Sequence, residues 1–261
     1  MQDAEPTVRL ERDGPVAILT LDNVKRRNAF SLAVRESLLD QLRLLSRHDD
    51  PCRAIVLTGA GGCFCAGGDL SEMKQRTAME MRGLLSLILE IFGLVTGGPR
   101  PIVAAVEGPA AGAGFSVAAA CDYVVAAEDA RFGSAFVKVG IVPDTGIMWS
   151  LSRKIGPAKA RALLLRAGEM TAAEAREAGL VNQVVAKGQA LEAAVAVAHR
   201  LAAMPPVAMA FLKATLAGGS ETLEQTFETE IDLQPILRSS ADHLECVQAF
   251  LEKRKPVFTG R

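Results

Sequence analysis

A β-branched apolar run that breaks at a tight turn and reopens as a helix of small residues constrains this chain more than any other feature: IVAAVEGPAAGAGFSVAAACDY, Ile102–Tyr123. Ile102–Val106 carries no polar side chain and reads as a strand buried on both faces. Glu107-Gly108-Pro109 is turn chemistry, and Ala-Gly-Ala-Gly then leads into Phe115–Cys121, which reads as a buried helix. The first turn of a helix leaves backbone N–H groups without intrahelical partners, and small residues there let another atom approach them. The stretch therefore offers a place to bind an oxyanion.

The 261 residues, 49% of them hydrophobic, suffice for one large domain or a domain with an appendage. With 29 basic against 30 acidic residues the formal charge is -1, which favours neither nucleic acid nor an anionic membrane. One Trp and one Tyr leave few platforms for stacking bases. Five cysteines without regular spacing argue against a disulfide framework and for a reducing compartment. Cys63 and Cys65 sit two apart, but His48, His199 and His243 are scattered, so reduced thiols are expected rather than a metal site. The N-terminal stretch is polar, and no apolar run reaches the ~18 residues of a membrane span. The expectation is a soluble cytoplasmic protein.

Thr7–Arg12 and Val16–Leu21 flank Asp13-Gly14-Pro15 and read as a β-hairpin. A loop with Lys25, Arg26 and Arg27 follows, either simply solvated or a contact for a phosphate-bearing ligand. Ser31 caps a predicted helix running to about Arg47 with Leu32, Leu38, Leu39, Leu42 and Leu45 on one broad face. Arg53–Thr58 is a buried strand that ends in TGAGGCFCAGGDL, a second glycine-rich segment able to approach a ligand closely. Ser71–Glu80 reads as irregular, Met81–Val95 as a helix stopped by Gly97-Gly98-Pro99, and Tyr123–Ala127 as a strand. Strands alternating with helices imply crossover units and a covered sheet. Beyond Gly156 the chain reads as helical, with Pro157–Ala167, a capping box at Thr171-Ala-Ala-Glu174, and Leu191–Ala203 before the break at Pro205-Pro206.

Each glycine-rich strand end taken singly is a turn as readily as a site, and neither fits a phosphate loop or a dinucleotide fingerprint. Together and in this order they carry a resemblance. FCAGGDL, AVEGPAAGAGFSVAAACDYVVAAEDARFG, MTAAEAREAGLVNQVV and AFLEKRKPVF resemble the enoyl-CoA hydratase/isomerase (crotonase) superfamily over about Thr7 to Phe258. The resemblance implies an α/β fold with a crotonase-like ββα-superhelix (spiral) core over residues 1–200 and a C-terminal helical trimerisation region over 201–261. It implies an acyl-CoA substrate, coenzyme A being part of that substrate rather than a separate cofactor. It also implies a homotrimer or a dimer of trimers.

In that family two backbone N–H groups hold the thioester carbonyl, and the matching positions here are Gly68 and Ala113. Ala113 stands where the family usually has glycine; it still donates its N–H from an ordinary φ, which a helix start supplies. The resemblance places the adenine and phosphates of CoA near Lys25 and Arg27 and against the loop of Ala66, Gly67, Gly68, Asp69 and Leu70. Gly114 belongs to the same binding segment. Lys255 and Phe258 would close the pocket, in that family often from a neighbouring subunit, although Lys255 also suits a solvated helix end.

Where the hydratases carry two glutamates, this chain has Ser116 and Phe136, neither of which can act as a carboxylate base. The remaining candidate acid/base is Asp144 in Pro143-Asp144-Thr145-Gly146, a motif equally suited to a turn or a helix cap. The segment FVKVGIVPDTG resembles that of the phenylacetate-pathway isomerases, which use the matching aspartate to move a proton; an aromatic dehalogenase branch uses one as a nucleophile. Flanking Ile141, Val142, Ile147 and Met148 would desolvate the carboxylate, while a helix N-terminus would act the other way. Phe136 and Trp149 are candidates to wall an acyl pocket, with core packing the stronger role for Trp149. The expected activity is an enoyl-CoA double-bond or ring isomerase in which Asp144 moves a proton and Gly68 and Ala113 hold an enolate oxygen. The rivals are a hydratase with another water-activating group, a dehalogenase, and a non-catalytic acyl-CoA binder.

Overall fold

A computed structural model describes residues 7–219 and 222–261. Its elements begin with β1 (Thr7–Asp13), β2 (Val16–Asp22), α1 (Leu32–Leu45), β3 (Ala54–Gly59), α2 (Ala78–Gly97) and β4 (Ile102–Val106). There follow β5 (Pro109–Ala111), α3 (Ala113–Ala120), β6 (Tyr123–Ala127), β7 (Arg131–Gly133), α4 (Ile147–Ile155) and α5 (Pro157–Leu165). The remainder is β8 (Glu169–Thr171), α6 (Ala172–Ala178), β9 (Gln183–Val185), α7 (Ala190–Ala202), α8 (Pro206–Gly218), α9 (Leu223–Arg238) and α10 (Ala241–Glu252).

Six strands form one sheet in the order β1-β2-β3-β4-β6-β9, parallel except for the β1–β2 hairpin. A second sheet, β5-β7-β8, was not anticipated. Its three-residue strands lie directly after Gly108, Ala130 and Gly168, too short to show a period of two. The strands of the main sheet read as continuous apolar runs because both faces are covered. Along β4, Ile102, Ala104 and Val106 join a core with α1, α2 and α3, while Val103 and Ala105 pack under the alanines of α7.

The sequence placed the start of α2 too late. Thr77 and Glu80 form a capping box, Glu80 N–H donating to Thr77 Oγ1 and Thr77 N–H to Glu80 Oε2 at 2.7 Å, so the helix begins at Ala78 inside the segment read as irregular. At Thr171 the predicted capping box is present. Residue 201, the expected start of the C-terminal region, lies within α7, which ends at Ala202, and α8 begins at Pro206. Buried Lys213 of α8 donates to Arg100 O and to Asp122 Oδ2, both at 2.7 Å, which binds that helix to the core. No single helix among the described residues is long and apolar enough to cross a membrane.

Candidate active site

The two glycine-rich segments meet beyond the carboxyl ends of β3 and β4, where open α/β sheets place their ligands. They are laced together by main-chain bonds: Phe64 N–H to Glu107 O (2.8 Å), Cys65 N–H to Pro109 O (3.1 Å) and Ala111 N–H to Cys65 O (2.9 Å). On its other side the loop is held by Ala66 N–H to Arg27 O (3.0 Å) and by Phe30 N–H to Gly67 O (2.7 Å). Fully buried Asn28 completes the fixture, its Nδ2 donating to Ala60 O and Cys63 O at 2.8 and 2.6 Å. The approach is closest at Gly114, where an added Cβ would stand 2.4 Å from Cys65 O. We predict that Gly114→Ala lowers stability by about 2–3 kcal/mol, roughly 4–12 °C in Tm for a chain of this size, measured by thermal denaturation.

This lacing leaves two amides over. Gly112 serves as N-cap of α3 at φ +51°, so Ala113 takes the first helical position, and the positive φ falls on the glycine rather than on the alanine. Neither Gly68 N–H nor Ala113 N–H donates a hydrogen bond to any described residue, and both residues line one cavity of about 500 Å³. Phe30, Met73, Ile88, Phe136, Val139 and Ile141 supply its apolar wall, within the volume range of small-molecule sites.

Asp144 opens into the same cavity. It does not cap α4, whose N-cap is Gly146 with no side-chain acceptor, so the cap role open in the sequence is not the one it takes. Its carboxylate Oδ1 accepts from the buried Thr145 hydroxyl at 2.9 Å, and Oδ2 meets no donor among the described residues. Thr145 lies at φ +53°, a strained conformation for a β-branched residue, and Gly146 follows at +69° where a Cβ would fall 2.2 Å from the Phe92 ring. The turn is thus wedged so that the half-buried carboxylate stays at the cavity. Of the flanking apolar residues, Ile141, Val142 and Met148 are exposed and Ile147 packs into the core.

Fully buried Ser116 places its hydroxyl 3.2 Å from both Gly112 O and Asp144 O, joining the start of α3 to the aspartate turn rather than facing substrate. Phe136 walls the cavity, as do Ala66, Gly67, Asp69 and Leu70. Asp69 is tied up: burial raises its pKa, but bonds from the Ser71 hydroxyl and amide and from Arg26 bring it below the ordinary carboxylate value. Cys65 is inert, its thiol pushed up to about 12 by burial. Trp149 packs edge-on to Phe92 at 6.0 Å, with the Arg153 guanidinium 4.0 Å above it, outside the cavity.

Other sequence candidates lie elsewhere in the chain. Lys25 and Arg27 share the loop but not the cavity wall; the left-handed backbone at Arg27 (φ 52°) makes Arg26 the cation that lines it. Gly114 and Ser116 sit behind Ala113, in the helix. Lys255 is exposed, and the main chain of Phe258 is bonded to Arg53 at the far end of β3, so within one chain neither reaches the cavity. Arg35, which lines the cavity from α1, escaped the sequence reading although its spacing to Leu38, Leu39 and Leu42 puts it on the buried stripe.

This arrangement suits a thioester whose carbonyl oxygen gains charge between two fixed amides, next to one carboxylate. Comparison with known proteins gives the family. The family described as "Enoyl-CoA hydratase/isomerase" matches residues 11–261. A Rhodobacter capsulatus protein named "Probable enoyl-CoA hydratase" is 40% identical over 260 residues, 98% of either chain. The 1,2-epoxyphenylacetyl-CoA isomerase of Escherichia coli is 36% identical over 94% of this chain and 95% of its own. The crystal structure of an enoyl-CoA hydratase from Polaromonas sp. JS666 superposes with a TM-score of 0.91 at 35% identity, covering 97% of this chain and 100% of that one. Sequence, fold and site thus converge, and the chain belongs to the enoyl-CoA hydratase/isomerase family, with the crotonase fold.

Proposed function

We propose that the protein is an enoyl-CoA isomerase in which Asp144 carries the proton. The observation behind this reading is the carboxylate inventory of the cavity. Of the two carboxylates lining it, Asp69 is bound by Arg26 and Ser71, and only Asp144 keeps an oxygen open to substrate. A single carboxylate suits a proton shuttle: Asp144 takes a proton from the acyl chain, the electron pair moves onto the thioester oxygen, and the Gly68 and Ala113 amides stabilise that enolate. The same carboxylic acid then returns the proton at a carbon two bonds further along, moving the double bond without adding water. At the positions of the hydratases' glutamates stand a buried, bonded serine and a phenylalanine.

Relatives named as hydratases make hydration the competing activity. Incubation with aliphatic and aromatic 3-enoyl-CoA and 2-enoyl-CoA thioesters, followed by product mass, separates the two. An isomer of unchanged mass is expected; a 3-hydroxyacyl-CoA as the main product would replace this reading. The exposed Phe227, Ile231, Val247 and Phe250 of α9 and α10 support the further proposal of a trimer or a pair of trimers, and sedimentation should return three or six times the chain mass.

A further inference from the structure

Arg35 is the unusual residue of the cavity. It projects from the first turns of α1 and is 8% exposed, yet a guanidinium carries five N–H donors and this one uses a single one within the protein, Nε to Phe30 O at 2.7 Å. Its Nη groups meet no acceptor among the described residues, and it forms no ion pair with a described carboxylate. Two acids act on it electrostatically. Glu72 is committed to the Leu32 N–H at 2.9 and 3.2 Å, and Asp144 lies beyond ion-pair distance. Burial pushes the pKa of Arg35 down, with Glu72 and Asp144 opposing, and the Phe30 ring lies 5.6 Å from the guanidinium carbon. Arg26, in the same wall, shows the contrast: it is exposed and already held by Asp69.

A buried cation is unfavourable unless an anion or a set of acceptors meets it. The planar fork of Nη donors fits a carboxylate in bidentate fashion. We propose that Arg35 receives a carboxylate at the distal end of the acyl group, so that the preferred substrates are CoA thioesters of dicarboxylic acids. The inference rests on the acyl-CoA reading of this cavity. Gly68 and Ala113 fix the thioester end, Arg35 fixes the other, and Asp144 addresses the carbons between. The phosphates of CoA have exposed cations on the loop of residues 24–27 and need no buried one.

The test uses saturated thioesters, which can be neither isomerised nor hydrated, so its outcome is independent of the reaction assigned above. Succinyl-, glutaryl- and adipoyl-CoA are titrated calorimetrically against butyryl-, valeryl- and hexanoyl-CoA of equal carbon number. At least one dicarboxylic member is expected to bind about tenfold tighter than its neutral counterpart. Arg35→Met removes that preference while leaving the neutral thioester within about twofold, and Arg35→Lys retains part of it. Absence of any preference in the unaltered protein overturns the proposal, as does an equal weakening of both series by Arg35→Met, which would place Arg35 on the CoA moiety. Should Arg35→Met not fold, the unaltered protein and Arg35→Lys decide by the same criteria. A preference for the dicarboxylic series without isomerisation of any enoyl-CoA would retire the reaction and keep this site.

Discussion

Asp144→Asn is expected to cut isomerase turnover by about 10³-fold, in the middle of the range for general acid–base groups, while binding a saturated acyl-CoA as before. The asparagine can still accept from the Thr145 hydroxyl that positions Asp144. It cannot accept and return a proton. The strained turn around φ +53° at Thr145 is made by backbone and by Phe92, not by the carboxylate, so Tm should move little. Steady-state kinetics together with calorimetric binding separate the two outcomes. Equal loss of binding and turnover would give Asp144 a structural role instead.

The second large effect concerns a main-chain atom. Replacing the Gly112–Ala113 peptide by an ester, through incorporation of lactate at position 113, deletes the N–H and keeps the methyl group. That amide is the first in α3 and has no acceptor among the described residues, so the fold loses no hydrogen bond. Turnover should fall by about 10²–10³-fold, the loss typical of one oxyanion donor. A lactate protein with unaltered kcat would remove Ala113 from the site. Side-chain replacement cannot make this distinction, because any L-residue except proline carries the same N–H.

These parts of the molecule differed in how plainly the sequence shows them. β4, α3 and the Thr171 capping box are set by local chemistry, namely a β-branched run, a stretch of small residues and an S/T-x-x-E pattern; β4 and the box stand where the sequence puts them, and α3 begins at Ala113, two residues earlier than expected. The Thr77 box carried the same local signal, hidden in a polar stretch. β5, β7 and β8 hold three residues each and exist through pairing with one another, which no window of sequence records. Within the site, glycine spacing and the lone aspartate were legible. The choice of Arg26 over its neighbours was not, because consecutive positive φ values at Arg27 and Asn28 redirect the loop. Arg35 was legible in principle, a cation at apolar helical spacing, but what gives it meaning is that its Nη groups meet no acceptor among the described residues.

In the proposed reaction one carboxylate carries a proton between two carbons of an acyl chain whose thioester oxygen rests on two amides. Turnover of a 3-enoyl-CoA deuterated at C2, run in ordinary water with the deuterium located by NMR, decides it. A 2-enoyl-CoA product carrying substrate deuterium at C4 is expected, formed by the unaltered protein and not by Asp144→Asn. A 3-hydroxyacyl-CoA bearing solvent oxygen, with no deuterium at C4, would contradict it.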